Sequence, residues 1–288
     1  MDINSISFRR RPSSAPLRLR EKDGVAYLTF PALEECGLVS HAFSTRLGGA
    51  SEGRFSTMNF SFTRGDDPEH VRENYRRMAA VLGVSVERMT LSWQTHTTNV
   101  RVVTEADAGK GVVRERDYRD VDGLVTDVPG VTLVTFSADC VPLYFVDPVH
   151  RAIGLAHSGW RGTVARMGRV TLETMNRVYG TRPQDVIAAI GPSICRDCFE
   201  VGEEVIDMFA AEFAAQYHRK LFYRKENGRY QLDLWLANQI VLKEAGVSAG
   251  RISTTDICTR CNPQLLFSHR FHGEARGNLA AFLCLKQG

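Results

Sequence analysis

The stretch SADCVPLYFVDPVHRAIGLAHSGWRG, Ser137 to Gly162, decides how the rest of the chain is read. PLYFVD (142–147) and AIGLAHS (152–158) are short apolar runs on either side of Asp147-Pro148-Val149-His150, a turn signal. The pattern predicts a hairpin, in which the start of one strand lies beside the end of the next. That register would bring Cys140, just before Val141, close to His157. A nucleophile with its base, a metal site and ordinary core packing are all consistent with such a pair.

Working outward, alternating or continuous apolar runs predict further strands at 25–30, 39–45, 89–95, 99–104, 123–127, 131–136, 185–191, 251–257 and 278–285. Helical signals fall between them. Asp67-Pro68 opens a helix that Gly83 closes, and Thr163 is placed to cap a helix ending at Gly180. Residues 201–218 read as one amphipathic helix with acids in its first turn, and QLDLWLANQIVLKEAG as another ending at Gly246. The fold class is α/β (α+β), a single layered domain with a mixed sheet flanked by helices. Residues 1–22 read as a disordered basic tail and 23–288 as the one domain.

Composition narrows the function classes. The 288 residues are 43% hydrophobic and 24% charged, ordinary for a soluble globular chain. A net charge of +3 gives no global signal for nucleic acid or an anionic membrane. No apolar run approaches the roughly 20 residues of a membrane span, and no secretory h-region is expected near the N-terminus. Seven cysteines, an odd number without scaffold spacing, suggest free thiols in a reducing cytoplasm.

His96, closing the run Ser92-Trp93-Gln94-Thr95, adds a third donor to Cys140 and His157. Two imidazoles and a thiolate match catalytic zinc, with three protein ligands and an open fourth position; taken alone, His96 is more often a turn residue than a ligand. Ser158-Gly159-Trp160-Arg161-Gly162-Thr163 offers free N–H groups and a guanidinium, an anion cradle or simply a tight strand-to-helix turn. Cys195-x-x-Cys198 and Cys258-x-x-Cys261 invite a four-cysteine zinc reading. Their separation far exceeds that of a compact ribbon and neither sits in a Gly-rich knuckle, so structural zinc is not expected there. The donor-rich stretch 267–276 is a solvated loop or a set of contacts to a polar ligand.

The ordered motifs Trp93-Gln94-Thr95-His96, Asp122-Gly123-Leu124-Val125-Thr126, Ala138-Asp139-Cys140-Val141-Pro142, Ala156-His157-Ser158-Gly159-Trp160-Arg161-Gly162 and Ile190-Gly191-Pro192-Ser193-Ile194 carry a resemblance. Thr45-Arg46, Met58-Asn59-Phe60, Gly65-Asp66-Asp67-Pro68, Cys198-Phe199-Glu200-Val201-Gly202 and Leu266-Phe267-Ser268-His269-Arg270 agree with it. Over about residues 38–285 the chain resembles the laccase-domain family, also called multicopper polyphenol oxidase-like and described as a purine nucleoside phosphorylase family. The resemblance implies a layered α/β domain related to cysteine hydrolases, with zinc on His96, Cys140 and His157. It also implies phosphorolysis of adenosine, inosine or guanosine to base and ribose 1-phosphate, and in related members cleavage of methylthioadenosine and deamination of adenosine. Where family members show Ser-Tyr-Arg-Arg and later Thr-Gly-Arg, this chain has Ser268-His269-Arg270-Phe271 and Arg276-Gly277. The second arginine's role is thereby left unassigned; the metal triad is unaffected.

Purine nucleoside and phosphate are the expected partners, with no nucleic acid or membrane, for a monomer or small homo-oligomer in the cytoplasm. Arg46, Arg161 and Arg270 are candidates to hold phosphate, and Asn59 to contact the purine. Three rivals remain at this point: a copper-dependent polyphenol oxidase, a Cys140–His157 amide or peptide hydrolase, and a non-enzymatic metabolite binder. Against the first, the eight histidines include no His-x-His.

Overall fold

The computed structural model describes residues 6–13 and 15–287. One six-stranded sheet has the order β1(Arg18–Lys22), β2(Val25–Thr29), β3(Val39–Ser44), β15(Leu279–Leu285), β7(Thr132–Ser137), β4(Met89–Leu91). A second has the order β14(Ile252–Thr254), β10(Ile187–Ile190), β8(Val141–Asp147), β9(Ala152–Ser158), β6(Gly123–Thr126), β5(Val100–Val102). A small third sheet is formed by β11(Glu200–Val201), β13(Tyr230–Leu232) and β12(Phe222–Arg224). The helices are α1(Pro31–Glu35), α2(Pro68–Leu82), α3(Trp160–Val164), α4(Met167–Tyr179), α5(Glu203–Glu212), α6(Ala215–Leu221), α7(Leu234–Glu244) and α8(His269–His272). Among the described residues no helix is long and apolar enough to cross a membrane.

The two large sheets pack face to face, and each is covered outside by helices. Period-two alternation sorts the side chains. Tyr144, Val146, Ile153 and Leu155 meet Leu133, Leu279, Ala281, Leu283 and Leu285 between the sheets. The opposite face of the second sheet, including Leu143, Phe145, Ala152 and Ala156, packs on Met167, Leu172 and Met175 of α4 and on Ala237 and Val241 of α7. On the outside of the first sheet, Ala42, Val134, Ala280 and Phe282 meet Val71, Tyr75 and Met78 of α2. Strands buried on both faces are why the runs at 131–136, 142–147 and 278–285 read as nearly continuous apolar sequence. The hairpin forms as the sequence predicts, with Val141 opposite Ser158 and Pro142 opposite His157.

Four local readings are corrected. Residues 18–22, assigned to the tail, form the edge strand β1 on β2; its charged, exposed side chains leave no hydropathy signal. The preceding segment is tied down: Arg11 N–H donates to the Asp256 carbonyl at 2.7 Å, and Leu17 N–H to the buried Asp256 carboxylate at 3.1 Å. Residues 1–5 and 14 of the tail lie outside the described residues. The helix read over 201–218 breaks at Phe213, which turns extended and buries its ring against Phe209. Thr163 lies inside α3 rather than capping α4, and its hydroxyl bonds the Gly159 carbonyl at 3.0 Å.

The fourth correction concerns the two CxxC pairs, which converge despite their separation. β10 and β14 pair in parallel, Ile190 opposite Thr254, so the segments leaving them run side by side. A bridge between Ser193 and Cys258 continues the pairing, and the four sulfurs come within 4.8 Å of one another.

Candidate active site and metal centre

Cys140 lies where the chain passes from β7 in one sheet to β8 in the other. His157 is the penultimate residue of β9, and the β8–β9 register sets it beside that crossing. His96 comes from the loop after β4, in left-handed backbone geometry at φ 66°. The donor atoms of the three side chains lie within 4.8 Å of one another, with Cys140 Sγ 4.0 Å from His96 Nε2. These are the three residues that the sequence proposed as partners.

Asp122 holds the arrangement together. It directly precedes β6, and its fully buried carboxylate lies 2.8 Å from His157 Nδ1. The same carboxylate accepts N–H groups from Thr95 at 2.9 Å, His96 at 3.1 Å and Thr97 at 3.1 Å. One acid therefore fixes the loop carrying His96 and engages Nδ1 of His157, leaving Nε2 for the centre. Burial pushes the Asp122 carboxyl up, but its bond and charge interaction with His157 outweigh this and hold it below the usual range. The sequence named Asp122 only as part of a motif; an acid abutting a short, mostly apolar strand was the available signal of its role.

Electrostatics prepare the thiol as a donor. Burial pushes the Cys140 thiol up, but the charge of His157 and hydrogen bonds from both histidines bring it down to about 6. Burial disfavours the His157 imidazolium, yet Cys140 and Asp122 together push it up to about 9. Such a set suits a soft or borderline divalent metal in a three-ligand site. Gly159 allows a close approach: a Cβ there would stand 3.0 Å from Cys140 Sγ and 3.1 Å from His96 Cδ2, so these side chains would have to give.

The centre opens into a cavity of about 290 Å³. Phe60, Phe62 and Trp93 supply apolar and aromatic surface, while Arg64, Arg116 and Arg276 bring positive charge. The Arg276 guanidinium is buried, with its Nε lacking a partner, and burial pulls its pKa down to about 10. Arg116 stacks over Trp93 at 4.4 Å.

The other sequence candidates do not line this cavity. Arg46 donates to the carbonyls of Ser56 and Pro263, each at 2.9 Å, and lies over Phe267. Asn59 is fully buried, donating to Asp66 at 2.8 Å and accepting from the Asn278 N–H at 2.9 Å. Arg161 is exposed, over the Trp160 ring at 4.2 Å. Arg270 donates to the Glu200 carbonyl at 3.0 Å, while its backbone N–H meets Asp139 at 2.7 Å. Ser158 turns its hydroxyl inward to Thr163 and Asn238, both at 3.0 Å, leaving the turn without that anion donor.

Residues 40–286 match the family model described as multi-copper polyphenol oxidoreductase laccase. The chain belongs to this family. It is 36% identical over 253 residues to a purine nucleoside phosphorylase of Bacteroides thetaiotaomicron, covering 88% of this chain and 93% of that protein. It is also 36% identical over 233 residues to adenosine deaminase RL5 from an unknown prokaryotic organism, covering 80% and 87% respectively. The crystal structure of the hypothetical protein YfiH of Bacillus licheniformis superposes with a TM-score of 0.87 at 33% identity, over 93% of this chain and 99% of that one. The family, the mixed α/β fold and a role in purine nucleoside metabolism therefore stand together.

Proposed function

We propose that the protein is a zinc-dependent purine nucleoside phosphorylase acting on adenosine, inosine and guanosine. The observation that carries this reading is the convergence of His96, Cys140 and His157 beside a cavity that combines aromatic surface with buried positive charge. Relatives named for purine nucleoside phosphorolysis and for adenosine deamination support the substrate class. Deamination of adenosine and cleavage of methylthioadenosine are secondary reactions within this proposal.

The residues divide the work. Phe62 and Trp93 offer faces for a purine, and Arg64, Arg116 and Arg276 offer charge for phosphate. In phosphorolysis a phosphate oxygen bonds to the ribose C1′ as the bond to the purine nitrogen breaks, giving ribose 1-phosphate and, after proton uptake, the free base. The arginines neutralise phosphate while both reactants are held in one site. His96, Cys140 and His157 would hold zinc, which would supply Lewis-acid chemistry to the site. Asp122 keeps His157 oriented throughout. Seven cysteines, an odd number without scaffold spacing, favour a reducing compartment such as the cytoplasm.

The decisive assay incubates adenosine, inosine and guanosine with and without phosphate, before and after chelation. Phosphate-dependent ribose 1-phosphate, lost on chelation and restored by zinc, is expected. Release of free ribose without phosphate would refute phosphorolysis.

Cys140, His157 and Asp122 also form a nucleophile–base–orienter series, which favours the amide hydrolase as second reading. Zinc protection of Cys140 from alkylation supports the metal reading; amide turnover by metal-free protein supports the hydrolase.

A further inference from the structure

Outside the active site, the largest concentration of chemistry is the meeting of the two CxxC segments. Cys195, Cys198 and Cys258 are buried, Cys261 is partly so, and all four are free thiols. Their sulfurs lie within 4.8 Å of one another, with Cys198 and Cys261 at 3.4 Å. A tetrahedral ion with metal–sulfur bonds of about 2.3 Å sets its sulfurs about 3.8 Å apart, a spacing within this range.

Hydrogen-bond donors face three of the sulfurs. Arg11 Nη2 donates to Cys195 Sγ at 3.1 Å, and Arg260 Nη1 to Cys198 Sγ at 3.5 Å. The Cys195 N–H donates to Cys258 Sγ at 3.3 Å. Guanidinium and amide groups only donate, so each of these sulfurs acts as an acceptor. Four crowded sulfurs repel as thiolates unless a cation sits among them. A divalent ion leaves a net charge of −2, which Arg260 and Arg11, the latter shared with Asp197 at 2.7 Å, reduce.

We propose that Cys195, Cys198, Cys258 and Cys261 form a second, structural zinc site. Four protein ligands and burial close the coordination sphere, unlike the three-ligand centre at Cys140. The site pins together the segments that leave β10 and β14. Those segments grip the turn before the catalytic cysteine: Ile194 N–H donates to the Asp139 carbonyl at 3.0 Å, and Thr259 Oγ1 to the Asp139 carboxylate at 2.5 Å. Asp139 itself is held at φ 97°. Zinc here therefore braces Cys140 without touching substrate, and the proposal does not depend on the reaction at Cys140.

The test is metal analysis of full-length Cys140→Ala protein, purified under reducing conditions, with and without Cys258→Ser and Cys261→Ser. The Cys140→Ala protein is expected to keep one zinc per chain, and the triple variant none. The added serines are expected to lower Tm by about 10 °C. Should the triple variant not fold, cobalt loading of the Cys140→Ala protein answers alone, with strong sulfur-to-cobalt charge transfer and tetrahedral bands expected. Zinc-free Cys140→Ala protein without that spectrum would overturn the proposal. So would a Cys198–Cys261 disulfide in protein alkylated on lysis, or iron in place of zinc.

Discussion

The chain gathers cysteine at two places that differ in what surrounds the sulfur. At Cys140 one thiol and two imidazoles come from three separate segments and face a cavity of about 290 Å³. At the other, four thiols come from two side-by-side segments and close on themselves, with guanidinium partners. Coordination that leaves room suits chemistry on a substrate; coordination that leaves none suits holding loops together.

The largest effect expected short of removing a ligand is at Asp122. Asp122→Asn keeps the shape but weakens the grip on His157, and nucleoside phosphorolysis should fall by about 100-fold, with weaker zinc binding read by chelator competition. An unchanged affinity would break the claim that this acid orients the open centre. Arg276→Gln should raise the KM for phosphate about 10-fold and leave zinc content intact, separating anion binding from metal binding. Gly159→Ala, which crowds Cys140 and His96, should cost a few-fold in activity through the open centre alone.

Thr259→Val cuts the link from the closed site to Asp139 and should lower Tm by about 5 °C, with a smaller loss of activity. A control lies away from both sites. His41, buried between the sheets, accepts the Phe30 N–H at 2.9 Å, and burial holds its pKa down to about 4. The unfolded state takes up the proton first, so stability is unaffected above pH 6.5 and falls by about 3 kcal/mol as pH drops from 6.5 to 4. Denaturant midpoints across that range should show this component, and His41→Gln should remove it.

Much of this was legible in the sequence because its causes are local. The turn at 147–150 set the hairpin, and the hairpin set Cys140 against His157. Runs buried on both faces marked the central strands. What stayed hidden depends on distant contacts. Parallel pairing of β10 with β14 joins cysteines 63 residues apart, which spacing rules for compact zinc ribbons do not anticipate. Arginine position is equally hard to read, since Arg46 and Arg276 look alike in sequence and only one lines the cavity. Edge strand β1 carries charges on both faces and so no pattern.

The central claim is that the open centre, through Cys140, both holds zinc and supports phosphorolysis. Its most direct test measures zinc content and phosphate-dependent inosine cleavage together in Cys140→Ala and the parent protein. The expected result is loss of the triad's zinc and of ribose 1-phosphate formation together, by about 1,000-fold in rate. Full activity with undiminished zinc in Cys140→Ala would contradict it.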